Sequence, residues 1–271
     1  MSATDALAYE VRVRGHLDDH WSSWLGGATI TRNEDGTSTL TGTADQSQLH
    51  GVLTALRDVG VELLHLNTLD PASRVSALNR PLLTDRLTLR PATLADVEPT
   101  WNYRRLDEVN EWLTGCPATL GGYRSLFTRP DRLATTVIVE LRAGTVIGDF
   151  MLRRHDAWAQ ADAAERAAGQ QVELGWVLDP GHTGHGYATE AVHELLRHSF
   201  EDLGVHRVTA DCFLANQASW RLMERLGMRR EAHTRRDALH QSGQWLDSLS
   251  YALLADEWPP AAGSADGGRR A

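Results

Sequence analysis

The 271 residues predict two consecutive α/β (α+β) units, a small one followed by a larger one. Three observations carry that expectation. Residues 9–67 run through short alternating stretches and helical stripes in the order strand-helix-strand-strand-helix-strand. Residues 71–82 are punctuated by Pro71, Ser73, Ser76, Asn79 and Pro81, which is linker chemistry. Residues 172–191, VELGWVLDPGHTGHGYATEA, read as a buried strand, a glycine-rich turn and a helix entry.

In the first unit, residues 1–70, Tyr9–Arg14 alternates as a strand and Asp18–Leu25 suits a short helix with Trp21, Trp24 and Leu25 on one side. Strands at Ala28–Thr31 and Ser38–Thr41 flank Asn33-Glu34-Asp35-Gly36, a hairpin signal. Asp45 is a helix cap, and Leu49, Val52, Leu53 and Leu56 form the apolar stripe of a helix running to about Asp58. Val61–Leu66 closes as a strand. This order is that of a ferredoxin-like βαββαβ sheet. Residues 1–72 hold ten acidic residues against four arginines, and no catalytic constellation. Ligand binding, subunit pairing in a homodimer and added stability all remain open, with a dimerising or spacing module the simplest reading.

The second unit, residues 83–258, opens with a strand at Thr84–Pro91. Thr93 to about Leu106 reads as a helix with Asp96 and Glu98 in its first turn, where carboxylates complement the helix dipole. Asn110–Leu113 and Leu120–Phe127 read as short helical pieces, and Ala134–Glu140 and Thr145–Leu152 as a hairpin around Arg142-Ala143-Gly144. The alanine- and acid-rich run 155–170 suits a helical excursion. Val172, Leu174, Trp176 and Leu178 then alternate as a strand that Asp179-Pro180-Gly181 stops. Gly184 and Gly186 permit a tight turn and close approach to a ligand. From Tyr187 the apolar residues Ala188, Ala191, Val192, Leu195, Leu196 and Phe200 follow helical spacing. Arg207–Phe213 is a strand, Asn216–Met228 a helix whose Gly227 stands where positive φ is wanted, and Arg230–Arg236 and Leu246–Leu253 are closing strands. The tail 259–271 has a disordered composition.

A glycine-rich turn entering a helix directs free N–H groups at one point, which suits a phosphate. A P-loop would need a lysine after the turn, and a dinucleotide fingerprint would need a third glycine where Thr189 stands. The run Thr183-Gly184-His185-Gly186-Tyr187-Ala188 resembles the acetyl-coenzyme A turn [RQ]-x-x-G-x-[GA] of the GNAT acetyltransferases, departing from it at Thr183. The longer run through Ala191, the opening Thr84-Asp85-Arg86-Leu87-Thr88-Leu89-Arg90-Pro91 and the block Asn216–Met228 resemble the RimJ/RimL-like branch of that superfamily. The resemblance covers residues 83–258 and implies a mixed sheet with splayed central strands, acetyl-CoA as cosubstrate and a primary amine as acceptor, either a protein N-terminus or a small amine.

It also implies roles. The turn Thr183, Gly184, His185, Gly186, Tyr187 and Ala188 would bind the cofactor, with Asn216. The backbone near Val177 and Leu178 would face the thioester and stabilise its oxyanion. Glu173 is the candidate general base or amine-orienting acid, or else a carboxylate bonded across the sheet. Ser219 is the candidate proton donor to the thiolate, since Met223 stands where other acetyltransferases place a tyrosine; alternatively Asn216 and Ser219 only cap a helix. Trp101, Tyr103, Trp112 and Tyr123 would line the acceptor wall or pack on the sheet. His182, His185 and Arg229, Arg230, Arg235 and Arg236 would meet phosphates or solvent.

Composition sets limits. Net charge is −9, and all 27 basic residues are arginine, which argues against nucleic acid and suits a cationic partner. Cys116 and Cys212 lie far apart without metal spacing, and His193-Glu194-Leu195-Leu196-Arg197 lacks the second histidine of a zinc helix, so no metal is expected. No apolar run is long enough to span a membrane and no signal peptide opens the chain, which points to the cytoplasm. A non-catalytic acetyl-CoA sensor is the rival to an N-acetyltransferase, favoured by Thr183 and Met223.

Overall fold

The computed structural model describes residues 7–18, 20–33, 35–69, 78–113, 115 and 117–258. The expected linker over 71–82 lies outside these as far as residue 77, as does the tail 259–271. The chain divides into two units, residues 1–74 and 75–271.

The first unit contains β1 (Leu7–Arg14), α1 (Trp21–Trp24), β2 (Thr29–Arg32), β3 (Thr37–Ala44), α2 (Gln46–Asp58) and β4 (Leu63–Leu69). Its sheet has the order β2-β3-β1-β4, every neighbouring pair antiparallel, which is the split arrangement of a ferredoxin-like sheet. Asp45 caps α2 reciprocally: its carboxylate accepts from the Gln48 amide at 2.8 Å, and Gln48 Oε1 accepts from the Asp45 amide at 2.9 Å. Leu49, Val52 and Leu56 then bury against Tyr9, Val11, Val13 and Leu40. α1 is only a single turn, shorter than expected, because Gly26 and Gly27 adopt φ of 69° and 80° and end it. Trp24 consequently faces solvent, while Leu25 is buried.

The second unit contains β5 (Leu82–Leu83), β6 (Leu87–Pro91), α3 (Val97–Arg104), α4 (Asp107–Asn110), α5 (Leu120–Phe127), α6 (Pro130–Thr135), β7 (Thr136–Leu141), β8 (Val146–His155), α7 (Ala164–Ala167), β9 (Gln171–Leu178), α8 (Tyr187–Arg197), β10 (Arg207–Phe213), α9 (Gln217–Arg225), β11 (Arg229–Leu239) and β12 (Trp245–Leu254). They build an eight-stranded mixed sheet of order β11-β12-β10-β9-β8-β7-β6-β5. Only β9 and β10 are parallel, and α8 supplies the crossover that a parallel pair requires. The main core lies between the sheet and α8 and α9, where Ala191, Val192, Leu195, Leu196, Leu222 and Met223 meet Val172, Leu174, Val208 and Ala210. A smaller core of Val97, Tyr123, Phe127 and Ile138 joins α3 and α5 to the sheet.

The parallel pairing is short. It joins Gln171 to Arg207, Val172 to Val208 and Glu173 to Thr209, then stops, although β9 continues to Leu178 and β10 to Phe213. Beyond that point β9 stays paired with β8 and β10 with β12, so the sheet opens between its central strands.

Three local expectations change. The run 155–170 is helical only over a 3-10 turn at Ala161–Ala163 and the single turn of α7, within a loop closed by bonds from Ala157 N to Ala167 O (2.9 Å) and from Gly169 N to the Asp156 carboxylate (2.7 Å). The short helix expected at 110–113 ends at Asn110, because the Asn110 amide side chain turns back to the Arg104 carbonyl at 2.7 Å. α6 is an additional helix, started by Pro130 in its first turn, where proline's missing N–H costs nothing. No helix among the described residues is long and apolar enough to cross a membrane.

Candidate functional site

β9 leads into the turn through Asp179, whose carboxylate accepts from the Gly181 amide at 2.9 Å. Gly184 and Gly186 both adopt φ of 79°, a left-handed conformation that L side chains resist. Gly186 caps α8 in that conformation. The backbone amides of residues 184–189 find no carbonyl partner among the described residues, so they stand free at the positive end of an eleven-residue helix. The Thr183 hydroxyl is engaged locally, donating to Pro180 O at 2.9 Å. His185 Nδ1 sits 2.9 Å from Thr183 O, and its ring stacks on Tyr187 at 5.6 Å. His182 Nδ1 lies 3.5 Å from the Asp179 carboxylate. Ala188 packs against the main core.

Arg86, the residue just before β6, supports this turn. Its Nη1 donates to His185 O at 2.9 Å, its Nε to Glu190 Oε2 at 2.6 Å, and its guanidinium lies over the Tyr187 ring at 4.7 Å. Glu190 also accepts from the Thr84 hydroxyl at 2.5 Å and the Arg86 amide at 3.0 Å. Burial works to raise the Glu190 carboxyl, but these bonds from Thr84 and Arg86 outweigh it and hold the group below its ordinary range. A cleft of about 650 Å³ opens beside the turn, with Arg86, Gly186, Thr189 and Arg225 on its wall. The signal for Arg86 was its place three residues into the Thr84 motif, but nothing in one sequence shows that this arginine reaches across 99 residues.

Between the parted strands the amides have two destinations. Asp179 N donates to Ile147 O on β8 at 2.8 Å. Amides alternate along a strand, so Val177 also turns its N–H to β8, while Trp176 and Leu178 turn theirs toward the opening. Glu173 stands at the closed end of the opening, opposite Thr209, and its Oε2 is ion-paired with Arg153 of β8. Asn216 caps α9, its Oδ1 accepting from the Ser219 amide at 3.2 Å. Ser219 is nearly buried. Burial pushes the Cys212 thiol up to about 11, opposed by the neighbouring Ser219 hydroxyl. The turn follows β9 and α9 follows the parallel strand β10, so both lie at the end where these strands part, and Glu173 stands at the base of the opening.

The face of the sheet away from α8 carries the aromatic residues in two different environments. Tyr103 and Tyr123 are each only 2% exposed, so they serve packing and leave no surface for a ligand. Tyr103 donates to Asp149 at 2.8 Å, and Asp149 also receives Arg104 through Nε at 2.8 Å and Nη2 at 2.6 Å. Burial, reinforced by the Asp149 carboxylate, raises the Tyr103 phenol well above its ordinary range. Trp101 meets Tyr123 in a tilted contact at 5.2 Å. Trp112 alone of the four reaches the splayed strands, meeting Phe213 at 6.0 Å and His240 at 5.8 Å. His240, at the β11–β12 turn, is fastened by its Nε2 to Glu111 O at 2.7 Å. Of the four arginines expected near phosphates, Arg229 and Arg230 are committed to Glu257 and Glu224. Among the described residues no group of three or more His, Cys, Asp or Glu side chains forms a metal site.

Comparison with known proteins gives a consistent family. Residues 86–229 match the model of the acetyltransferase (GNAT) domain, and residues 8–67 match a domain of unknown function. An uncharacterized N-acetyltransferase, YnaD of Bacillus subtilis, is 37% identical over 86 residues, 32% of this chain and 50% of that protein. The [ribosomal protein uS5]-alanine N-acetyltransferase of Escherichia coli is 31% identical over 87 residues, 32% of this chain and 44% of that one. These matches span about half the length of the curated relatives. The crystal structure of a GNAT-family acetyltransferase from Bacillus anthracis superposes with a TM-score of 0.56 at 26% identity, covering 65% of this chain and 99% of that one.

Proposed function

The chain belongs to the GNAT acetyltransferase family, and from that premise we propose that it moves an acetyl group from acetyl-CoA to a primary amine by direct attack. The observation that carries the reading is the row of free amides at 184–189 beside strands that part after Glu173 and Thr209. The residues fit the cosubstrate: the amides, with Gly186 lacking a Cβ, suit its diphosphate, and the slot between β9 and β10 suits an extended arm ending in the thioester. The thioester supplies an activated acetyl carbon.

Each remaining task falls to a group of this chain. The Leu178 amide, turned into the opening, stabilises the oxyanion formed as the amine adds to the carbonyl carbon. Arg153 occupies one oxygen of Glu173, and the other takes the ammonium proton, directly or through water, so that the nitrogen lone pair is free. Carbon–sulfur cleavage then releases the thiolate, and the second proton of the acylated nitrogen passes through the Ser219 hydroxyl to it, leaving a neutral amide, a thiol and an unchanged serine, with Asn216 fixing the start of that helix. The relative that acts on a ribosomal protein supports a protein N-terminus as acceptor, and the net charge of −9 suits any cationic amine. The reading places the protein in the cytoplasm.

The test is calorimetric titration with acetyl-CoA, followed in the same samples by free-thiol release across amines and N-terminal peptides. Saturable binding with acceptor-dependent release is expected. Binding without release across the panel would favour the sensor, and absence of binding would reject both.

A further inference from the structure

Asp211 lies in the half of β10 that β9 leaves unpaired, two residues beyond Thr209, the last residue that β9 holds, while its other edge stays on β12. Ala210 and Cys212 face the main core, so alternation turns Asp211 to the other side of the sheet. The same argument applied to Val172 and Leu174 puts Glu173 on that side as well. Asp211 is exposed, and its carboxylate has no hydrogen-bond or ion-pair partner among the described residues. Nearby carboxylates are committed: Glu173 to Arg153, Asp237 to the Ser248 hydroxyl at 2.7 Å, and Asp247 to His233 at 2.7 Å and the Arg236 amide at 3.0 Å.

Across the opening, Gly175 occupies the position that would face Asp211 had the parallel pairing continued. Its backbone does not adopt the left-handed conformation, and an added Cβ would sit 3.6 Å from Met151 Cε, an ordinary contact. Neither backbone nor protein packing calls for glycine there, so its missing side chain leaves room opposite the free carboxylate. Phe213 lies on the same side of β10, about 7 Å further along the strand. Its ring joins Trp112 and His240, the latter edge-on at 5.7 Å.

We propose that Asp211 is the seat of the acceptor's ammonium group. A cationic primary amine enters between Gly175 and Asp211, the carboxylate holds the charge, and Trp112, Phe213 and His240 cover the adjoining carbon chain. Asp211 is then a substrate-binding residue that selects protonated amines, while Glu173 removes the proton. The assignment rests on the acetyltransferase reading for its chemistry, but its binding step is separately measurable. A peptide N-terminus and a small alkylamine share the recognised group, and the test separates them.

Full-length protein saturated with CoA is titrated with an alanine-starting tetrapeptide amide, with putrescine and with the N-acetylated peptide, which lacks the charge. One of the two amines is expected to bind, the acetylated peptide at least tenfold more weakly. In D211N that amine should lose at least tenfold in affinity, with CoA binding and the melting midpoint unchanged. Gly175→Val, which fills the space, should weaken the same amine while leaving CoA bound. Equal amine affinity in wild type and D211N, or no binding of either amine by wild type, would overturn the assignment. Amine binding sensitive to D211N without any thiol release would keep the seat and reject the acetyltransferase reading instead.

Discussion

The cross-strand pair with Arg153 leaves Oε1 of Glu173 uncommitted, so the ion pair and the proposed base can share one carboxylate. Glu173→Gln keeps the shape and removes the basicity. Thiol release should fall by roughly 100-fold or more, the scale of a lost general base, while acetyl-CoA affinity measured by calorimetry stays within about twofold. Gly186 poses a different question, because its φ of 79° is set by the turn and the Arg86 guanidinium lies 3.5 Å from where a Cβ would stand. Gly186→Ala should lose about 1–2 kcal/mol in urea unfolding from left-handed strain. It should weaken acetyl-CoA at least tenfold in the same calorimetric assay, since the free amides must re-aim. Loss of stability without loss of affinity would show that the turn binds nothing.

At the scale of elements, α9 joins stability to the slot because Asn216 caps it at Ser219. Asn216→Ala should destabilise the second unit by about 1 kcal/mol, read as a lowered thermal midpoint. It should also slow thiol release by loosening Ser219. The elements most legible in the sequence were those whose local chemistry agrees with their packing. The capping box of α2, the stripe of α8 and the positive φ of 81° at Gly227 are examples. Less legible were features decided by distant partners. Trp24 and Leu25 sit one residue apart with equal apolar character, and only the path of the following glycines decides that one is exposed and the other buried. Tyr103 and Trp112 look like equivalent wall aromatics until Asp149, 46 residues away, claims the first. The glycine turn was recognisable because its glycines are local; Phe213 and His240, beside the proposed acceptor seat, come from elements that no spacing rule connects.

On the scale of the whole molecule, charge is carried by arginines that do not titrate in the working range and by carboxylates that do. Several carboxyls are held below their ordinary range. Asp202 is held near 2, chiefly by hydrogen bonds from Arg197 and His198, and Glu231 is lowered chiefly by Arg207. A carboxyl acidified by folding contributes stability that is complete above its unfolded pKa and is lost as pH falls through its folded one. Urea midpoints should therefore hold near neutrality and drop between about pH 4 and pH 2. Asp202→Asn should flatten part of that drop. A final consequence concerns the opening beyond Glu173 and Thr209. Sheets are ordinarily vulnerable at their outer strands, where backbone groups lack partners. Here a second such margin lies inside the sheet, with the Trp176 and Leu178 amides along it, so the ligand-free protein carries an interrupted fabric that water must line. An extended molecule with amide groups of its own would act there as a graft, completing the weave from within. Amides of 174–178 and 210–213 should then gain more hydrogen-exchange protection from acetyl-CoA than those of β6 or β7, and the sheet would respond to its cargo as one strand wider.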